Sequence, residues 1–163
     1  MYIPDIPDNH LKPQIEELVY IANKIDTEVN EDDKFTLIFD FNSPATEEEI
    51  NSLEKELNVS LPIGYKEFLL FSNGAQLCGH CAEFDNTTRV SKINKLKKVP
   101  NFPEDYITIA RIIGDGEIIC FSKTTGKFIR YFDGREIVFD SFYDVFKEII
   151  KLITIAASDY VDL

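Results

Sequence analysis

Basic side chains are scarce in this chain, and the shortage is local. Its 163 residues carry 17 Lys and Arg against 29 Asp and Glu, a net charge of -12. Residues 1–60 hold fifteen acids against four lysines, a net of -11, whereas residues 61–163 hold fourteen acids against thirteen bases, a net of -1. Binding nucleic acid needs Lys and Arg to displace counterions from phosphate, so a free nucleic acid is not an expected partner. The basic run Lys92, Lys95, Lys97 and Lys98 is interleaved with Ile93 and Leu96 rather than with stacking aromatics, and reads as a solvated edge.

Histidine and cysteine are few as well. His10 and His80 are the only histidines, and neither sits in a nucleophile motif, so acid–base catalysis at neutral pH has little to draw on. An odd count of three cysteines argues against a disulfide scaffold and suits a reducing compartment. Long apolar runs are absent too. The most apolar stretch, 149–157, is broken by Lys151 and is far shorter than the roughly 20 residues a spanning helix needs. The first ten residues, MYIPDIPDNH, lack the basic region and apolar run of a secretory signal, so a cytoplasmic location is expected, with no membrane partner.

What is present suits one domain with a proper core. A chain of this length buries about 70% of the surface its unfolded form exposes, and 44% hydrophobic residues with thirteen Phe supply the material. Ile15, Leu18, Val19, Ala22 and Ile25 recur at helical spacing behind Pro13, which a first turn tolerates. The segment 35–41 is rich in β-formers and predicts a first strand.

The run from Asn42 to Gly74 spells out two helices with their ends. Thr46 is a natural N-cap with Glu49 three residues on, Ile50, Leu53 and Leu57 share a face, and Asn58 tolerates a left-handed stop. Pro62 opens a second helix, Tyr65, Phe68 and Leu69 form its apolar stripe, and Asn73-Gly74 is expected to end it with left-handed residues. Six strands are predicted after it, over 76–84, 89–93, 106–112, 117–122, 128–132 and 136–139. Turns at Gly114-Asp115-Gly116, Thr125-Gly126 and Asp133-Gly134 separate the later ones, and the first of these is too short for a phosphate cradle. Phe142, Phe146, Ile149, Ile150 and Ile153 then form a closing amphipathic helix that Ser141 or Asp140 can cap. The fold class is α+β, a single domain with an antiparallel meander packed against several helices.

Pro44-Ala45-Thr46, Glu48-Glu49-Ile50, Leu53-Glu54, Leu61-Pro62, Tyr65, Phe68-Leu69 and Asn73-Gly74 occur in the order and spacing of a known signature. With the later Phe139–Phe142 segment, this pattern closely resembles the SUKH superfamily of fungal cell-wall regulators, viral proteins and bacterial immunity proteins that neutralise polymorphic toxins. Leu57-Asn58 departs from the Leu-Gly often found there, but Asn also adopts the conformation that ends a helix. The resemblance covers roughly 35–153, within one domain over 1–163 that opens with a helical extension over 1–34.

The resemblance implies a non-enzymatic binding protein: an immunity protein that occludes the active site of a cognate toxin with a basic surface, such as a nuclease. A regulatory scaffold for endogenous proteins is the alternative. Charge selects the partner-binding candidates, Asp26, Glu28, Glu31, Asp32 and Asp33 in one cluster and Glu47 and Glu48 at a helix start. For any single carboxylate, a solvated acidic surface is the competing reading.

Cys78-Gly79-His80-Cys81 admits three readings. It matches the active-site tetrapeptide of disulfide isomerases, so Cys78 and Cys81 make a thiol oxidoreductase the third function considered. That chemistry needs the first Cys at a helix N-terminus after a buried strand, and no βαβ pattern surrounds the motif here. Zinc could draw on Cys78, His80, Cys81 and either His10 or Cys120, although a second closely spaced ligand pair is missing. The bland reading is two reduced thiols in a hairpin with Cys120 buried in a strand, and neither metal nor cofactor is expected.

Overall fold

Pro13 lies in the first turn of a helix over Lys12–Glu28 (α1), which presents Ile15, Leu18, Ile21, Ala22 and Ile25 to the interior. The computed structural model describes residues 1–79, 81–96, 102–112 and 116–163. His80, Lys97, Lys98 and the Gly114-Asp115 part of the first expected turn lie outside the described residues. After α1 come a single helical turn, Glu31–Lys34 (α2), and a two-residue strand, Asp40–Phe41 (β1). Two helices follow, Glu47–Leu57 (α3) and Ile63–Leu69 (α4), then short strands Ala75–Leu77 (β2) and Ala82–Phe84 (β3). Helix Thr87–Lys95 (α5) precedes the long strands Tyr106–Ile112 (β4), Glu117–Ser122 (β5), Phe128–Phe132 (β6) and Arg135–Phe139 (β7), and Phe142–Ala157 (α6) closes the chain. The chain is α+β, and among the described residues every sheet neighbour is antiparallel and the seven strands lie in sequence order.

The expected helix ends of α3 are realised. Thr46 Oγ1 accepts from the Glu49 N–H at 3.2 Å while Glu49 Oε2 accepts from the Thr46 N–H at 2.8 Å, and Asn58 stops the helix at φ 51°. Ser141, not Asp140, caps α6: its Oγ accepts from the Asp144 N–H at 3.3 Å, while Asp140 pairs with Lys127 at 2.9 Å. The α4 terminus differs from expectation. That helix ends at Leu70, and of the Asn73-Gly74 pair only Gly74 is left-handed, at φ 91°. Asn73 instead accepts from the Thr87 N–H at 2.8 Å and so steadies the start of α5.

Three strand expectations are corrected. The 89–93 strand is the middle of α5: Asn86 accepts from the Arg89 N–H at 2.9 Å, and Val90 and Ser91 are the buried side. A side-chain acceptor free at the right spacing outweighed the weak β preference of Arg-Val-Ser. The 76–84 strand is two strands folded back at Cys78 and Gly79, both left-handed at φ 50° and 59°. The 35–41 strand keeps only its last two residues, because the α2 turn continues through 3.0 Å bonds from Thr36 N–H to Asp33 O and from Leu37 N–H to Lys34 O.

Cross-strand register sorts the side chains of the long strands. Ile107, Phe121, Phe128 and Phe139 share the inner face, where Phe121 and Phe128 meet Tyr65 of α4 and Phe142 of α6. Phe68, Phe84 and Phe146 extend this aromatic core, in which each buried ring contributes about 1.5–3 kcal/mol. Leu11 and the apolar face of α1 belong to the same core cluster. Gln14 Nε2 also donates to the Tyr143 carbonyl of α6 at 2.9 Å. Where β3 no longer pairs with β4, Asn94 of α5 bonds both the N–H and the carbonyl of Thr108. Among the described residues, no helix is long and apolar enough to cross a membrane.

Candidate functional site

The acids Asp26, Glu28, Glu31, Asp32 and Asp33 meet at the corner between α1 and α2. Val29 leaves the helix at ψ 140°, and Asn30 then caps α2 by accepting from the Asp33 N–H at 3.0 Å and donating to Asp33 Oδ2 at 2.6 Å. No residue of this single turn is buried, and its three acids stand where backbone N–H groups face outward. Lys34 bonds Glu31 at 2.8 Å, and its pKa is raised first by that bond, with desolvation opposing it and the charges of Glu31 and Asp26 adding to the rise. Asp26 of α1 and Lys34 of α2 thus share one rim.

Apolar side chains follow that rim along the chain. Phe35 follows α2 with 80% of its surface exposed, an unusual position for a large aromatic. Leu37 and Phe39 turn inward while Ile38 stays partly exposed. A shallow depression of about 240 Å³ lies alongside, lined by Ile25, Asp26, Lys34, Leu37 and Ile38 among others. Several acids already have partners: Asp26 faces the Met1 amino group at 3.7 Å and Glu28 faces Lys24 at 3.4 Å. Among the described residues Asp32 has no ion pair.

Glu47 and Glu48 stand apart on α3. Both are exposed, and among the described residues no hydrogen bond or ion pair joins them to the α1–α2 corner. Glu48 lines a groove of about 540 Å³ between α3 and α5, where Glu56 holds Lys95 at 2.5 Å and also bonds Ser91. Charge spacing in the sequence located the acids of the corner but not Phe35, whose exposure depends on α2 running one turn further.

The cysteine hairpin braces this corner from behind. Gly79 donates its N–H to the Ile38 carbonyl at 2.7 Å, and a Cβ there would stand 2.1 Å from the Thr36 oxygen. Cys78 is buried and Cys81 half-buried, and the Cys81 N–H bonds back to the Cys78 carbonyl at 3.2 Å. The adjacent Cys81 thiol, with burial second, pushes the Cys78 thiol up, so Cys78 stays protonated. Cys78 occupies a hairpin turn rather than a helix N-terminus, so the arrangement lacks the feature that activates the first thiol of a redox pair. Among the described residues no group of three or more His, Cys, Asp or Glu side chains could hold a metal. His10, the distant zinc candidate, lies against Glu67 at 3.2 Å.

A model of the SMI1 / KNR4 family (SUKH-1) matches residues 44–148, more than half of the chain. The chain is also 38% identical over 73 residues to the uncharacterized protein YnaB of Bacillus subtilis (strain 168), a match over 44% of this chain and 46% of that protein. The match thus spans less than half the length of this relative. Glu47 and Glu48 lie within the family match, whereas the acids of the α1–α2 corner precede it.

Proposed function

We propose a function on one premise: the chain belongs to the SMI1 / KNR4 family (SUKH-1). It acts by binding proteins, and its partner is a cognate toxin whose active site it covers. The toxin carries a basic surface, as a nuclease does around its substrate groove. The observation that carries this reading is the exposed Phe35 directly after the acidic turn Glu31–Lys34.

The physical logic has two stages. Long-range attraction between acidic and basic surfaces raises the encounter rate and falls with salt. An aromatic anchor that leaves water for a pocket then supplies most of the lasting affinity. Phe35 and Ile38 are the anchors, Asp26, Glu28, Glu31, Asp32 and Asp33 the steering rim, and Glu47 and Glu48 a separate outlying pair. A carboxylate rim also occupies the sites where nucleic-acid phosphate would bind on such a toxin.

The test is charge reversal of the five rim acids, with affinity for the toxin read at low and moderate salt. Weaker binding with a flatter salt dependence is expected. Unchanged affinity and salt dependence would remove the assignment of this corner. Capture of several endogenous proteins and no toxin would move the function to a regulatory scaffold.

A further inference from the structure

Strand β7 is the last of the sheet, so one of its edges has no neighbour among the described residues. The turn Asp133-Gly134, with φ 45° and 77°, joins it to β6 and sets Phe132 opposite Arg135. Hydrogen-bonded and non-bonded pairs alternate away from such a two-residue turn. Arg135, Ile137 and Phe139 therefore bond to β6, while Glu136 and Val138 point their N–H and C=O groups outward. Ile137 and Val138 are 55% and 54% exposed, unusually apolar for an open edge. On the inner face, Arg135 and Ile137 border a groove of about 650 Å³ with Glu117, Arg130 and Phe132. Arg130 is paired with Glu117, whereas the Arg135 guanidinium lies 5.5 Å from the Phe132 ring and has no ion pair among the described residues.

We propose that this edge pairs with the same edge of a second copy of the chain, antiparallel, about a two-fold axis at Ile137. An added strand must place its own outward-bonding residues opposite Glu136 and Val138, which leaves three registers for self-pairing. Centring on Glu136 sets two Glu136 carboxylates side by side. Centring on Val138 sets Glu136 against Asp140 of the second copy. Centring on Ile137 sets Glu136 opposite Val138 in both directions and forms four main-chain hydrogen bonds. It also brings the two Ile137 side chains together as a close non-bonded pair and places Arg135 opposite the Phe139 ring.

The charge distribution permits this pairing. Glu117, Arg130, Arg135 and Glu136 balance one another, and the acidic corner lies beyond β1, six strand spacings or roughly 28 Å across the sheet. The dimer thus leaves both acidic corners free at its outer ends, and it stands independently of the function assigned to them. A five-residue edge is smaller than a standard interface, so a dissociation constant on the order of 10 to 100 µM is expected.

Sedimentation velocity on the intact chain over about 5 to 500 µM reads the assembly directly. A shift from monomer to dimer mass is expected, and Val138→Pro should weaken it at least tenfold. That change removes an outward N–H while leaving the β6 ladder intact. Should the proline variant unfold, a charge swap replaces it. Ile137→Lys and Ile137→Glu should each stay monomeric alone and form a dimer when mixed, because each Ile137 faces its own copy. A monomer at every concentration would overturn the proposal. So would a dimer that none of these substitutions affects, or a mixture of the two Ile137 variants that stays monomeric.

Discussion

Gly79 donates its backbone N–H to the Ile38 carbonyl at 2.7 Å, tying the cysteine hairpin to the segment that carries Phe35. Its left-handed φ of 59° and the Thr36 oxygen 2.1 Å from any added Cβ leave no room for a side chain. Gly79→Ala is therefore expected to cost about 2 kcal/mol or more, a fall of roughly 4–8 °C in Tm. It should also weaken partner binding beyond what the lost stability explains. A thermal melt and a binding titration check both.

Phe35 gives the opposite pattern. With 80% of its surface in solvent, Phe35→Ala should leave stability within about 0.5 kcal/mol. Partner binding should weaken by about 2 kcal/mol, roughly thirtyfold. Equal affinities of the wild type and the variant, measured by calorimetry, would remove Phe35 as an anchor.

Asp85 is a buried charge, with only 1% of its side chain exposed, held by Arg111 from β4 and by Arg89 Nε of α5 at 3.0 Å. Arg111→Leu is expected to cost about 3 kcal/mol, because a buried carboxylate loses its closer partner. Arg89→Leu should cost less, as half of that side chain is already in water. Adding Asp85→Asn to Arg111→Leu should recover part of the loss in a urea titration. A double variant no better than the single would show that Arg111 acts through packing alone.

Stability should also fall at high pH through two tyrosines. Burial, then a hydrogen bond to Glu136, pushes Tyr106 up to about 12, and burial, then Glu67, pushes Tyr143 to about 12. The folded state favours the protonated phenols, so this stabilisation is complete below the unfolded value of about 10 and is lost as pH rises through 12. Urea midpoints across that window should drop less steeply in the Tyr106→Phe, Tyr143→Phe double variant. An unchanged slope would assign the loss to other groups.

Local chemistry made much of this fold legible. The Thr46–Glu49 capping box, the Asn58 stop, the Asp133-Gly134 turn and the α6 stripe each depend on neighbours within a few residues. The misread segments were decided by local bonds that compete with the strand, supported from further away. Residues 89–93 become helical because Asn86 caps α5 and Asn73 steadies its start from across the fold, and 35–37 leave the strand for the bonds that continue the α2 turn. The site divides in the same way. Acid spacing revealed the rim of the α1–α2 corner, but Phe35 resembled an ordinary strand residue until the extended α2 turn exposed it.

The most direct measurement is capture from the native host, with wild-type protein and Phe35→Ala as baits at low and moderate salt and mass spectrometry of what binds. One stoichiometric partner with a toxin-like C-terminal domain is expected on the wild type, weakened by salt and depleted on Phe35→Ala. Several endogenous partners held equally by both baits, or no partner at either salt, would contradict the account.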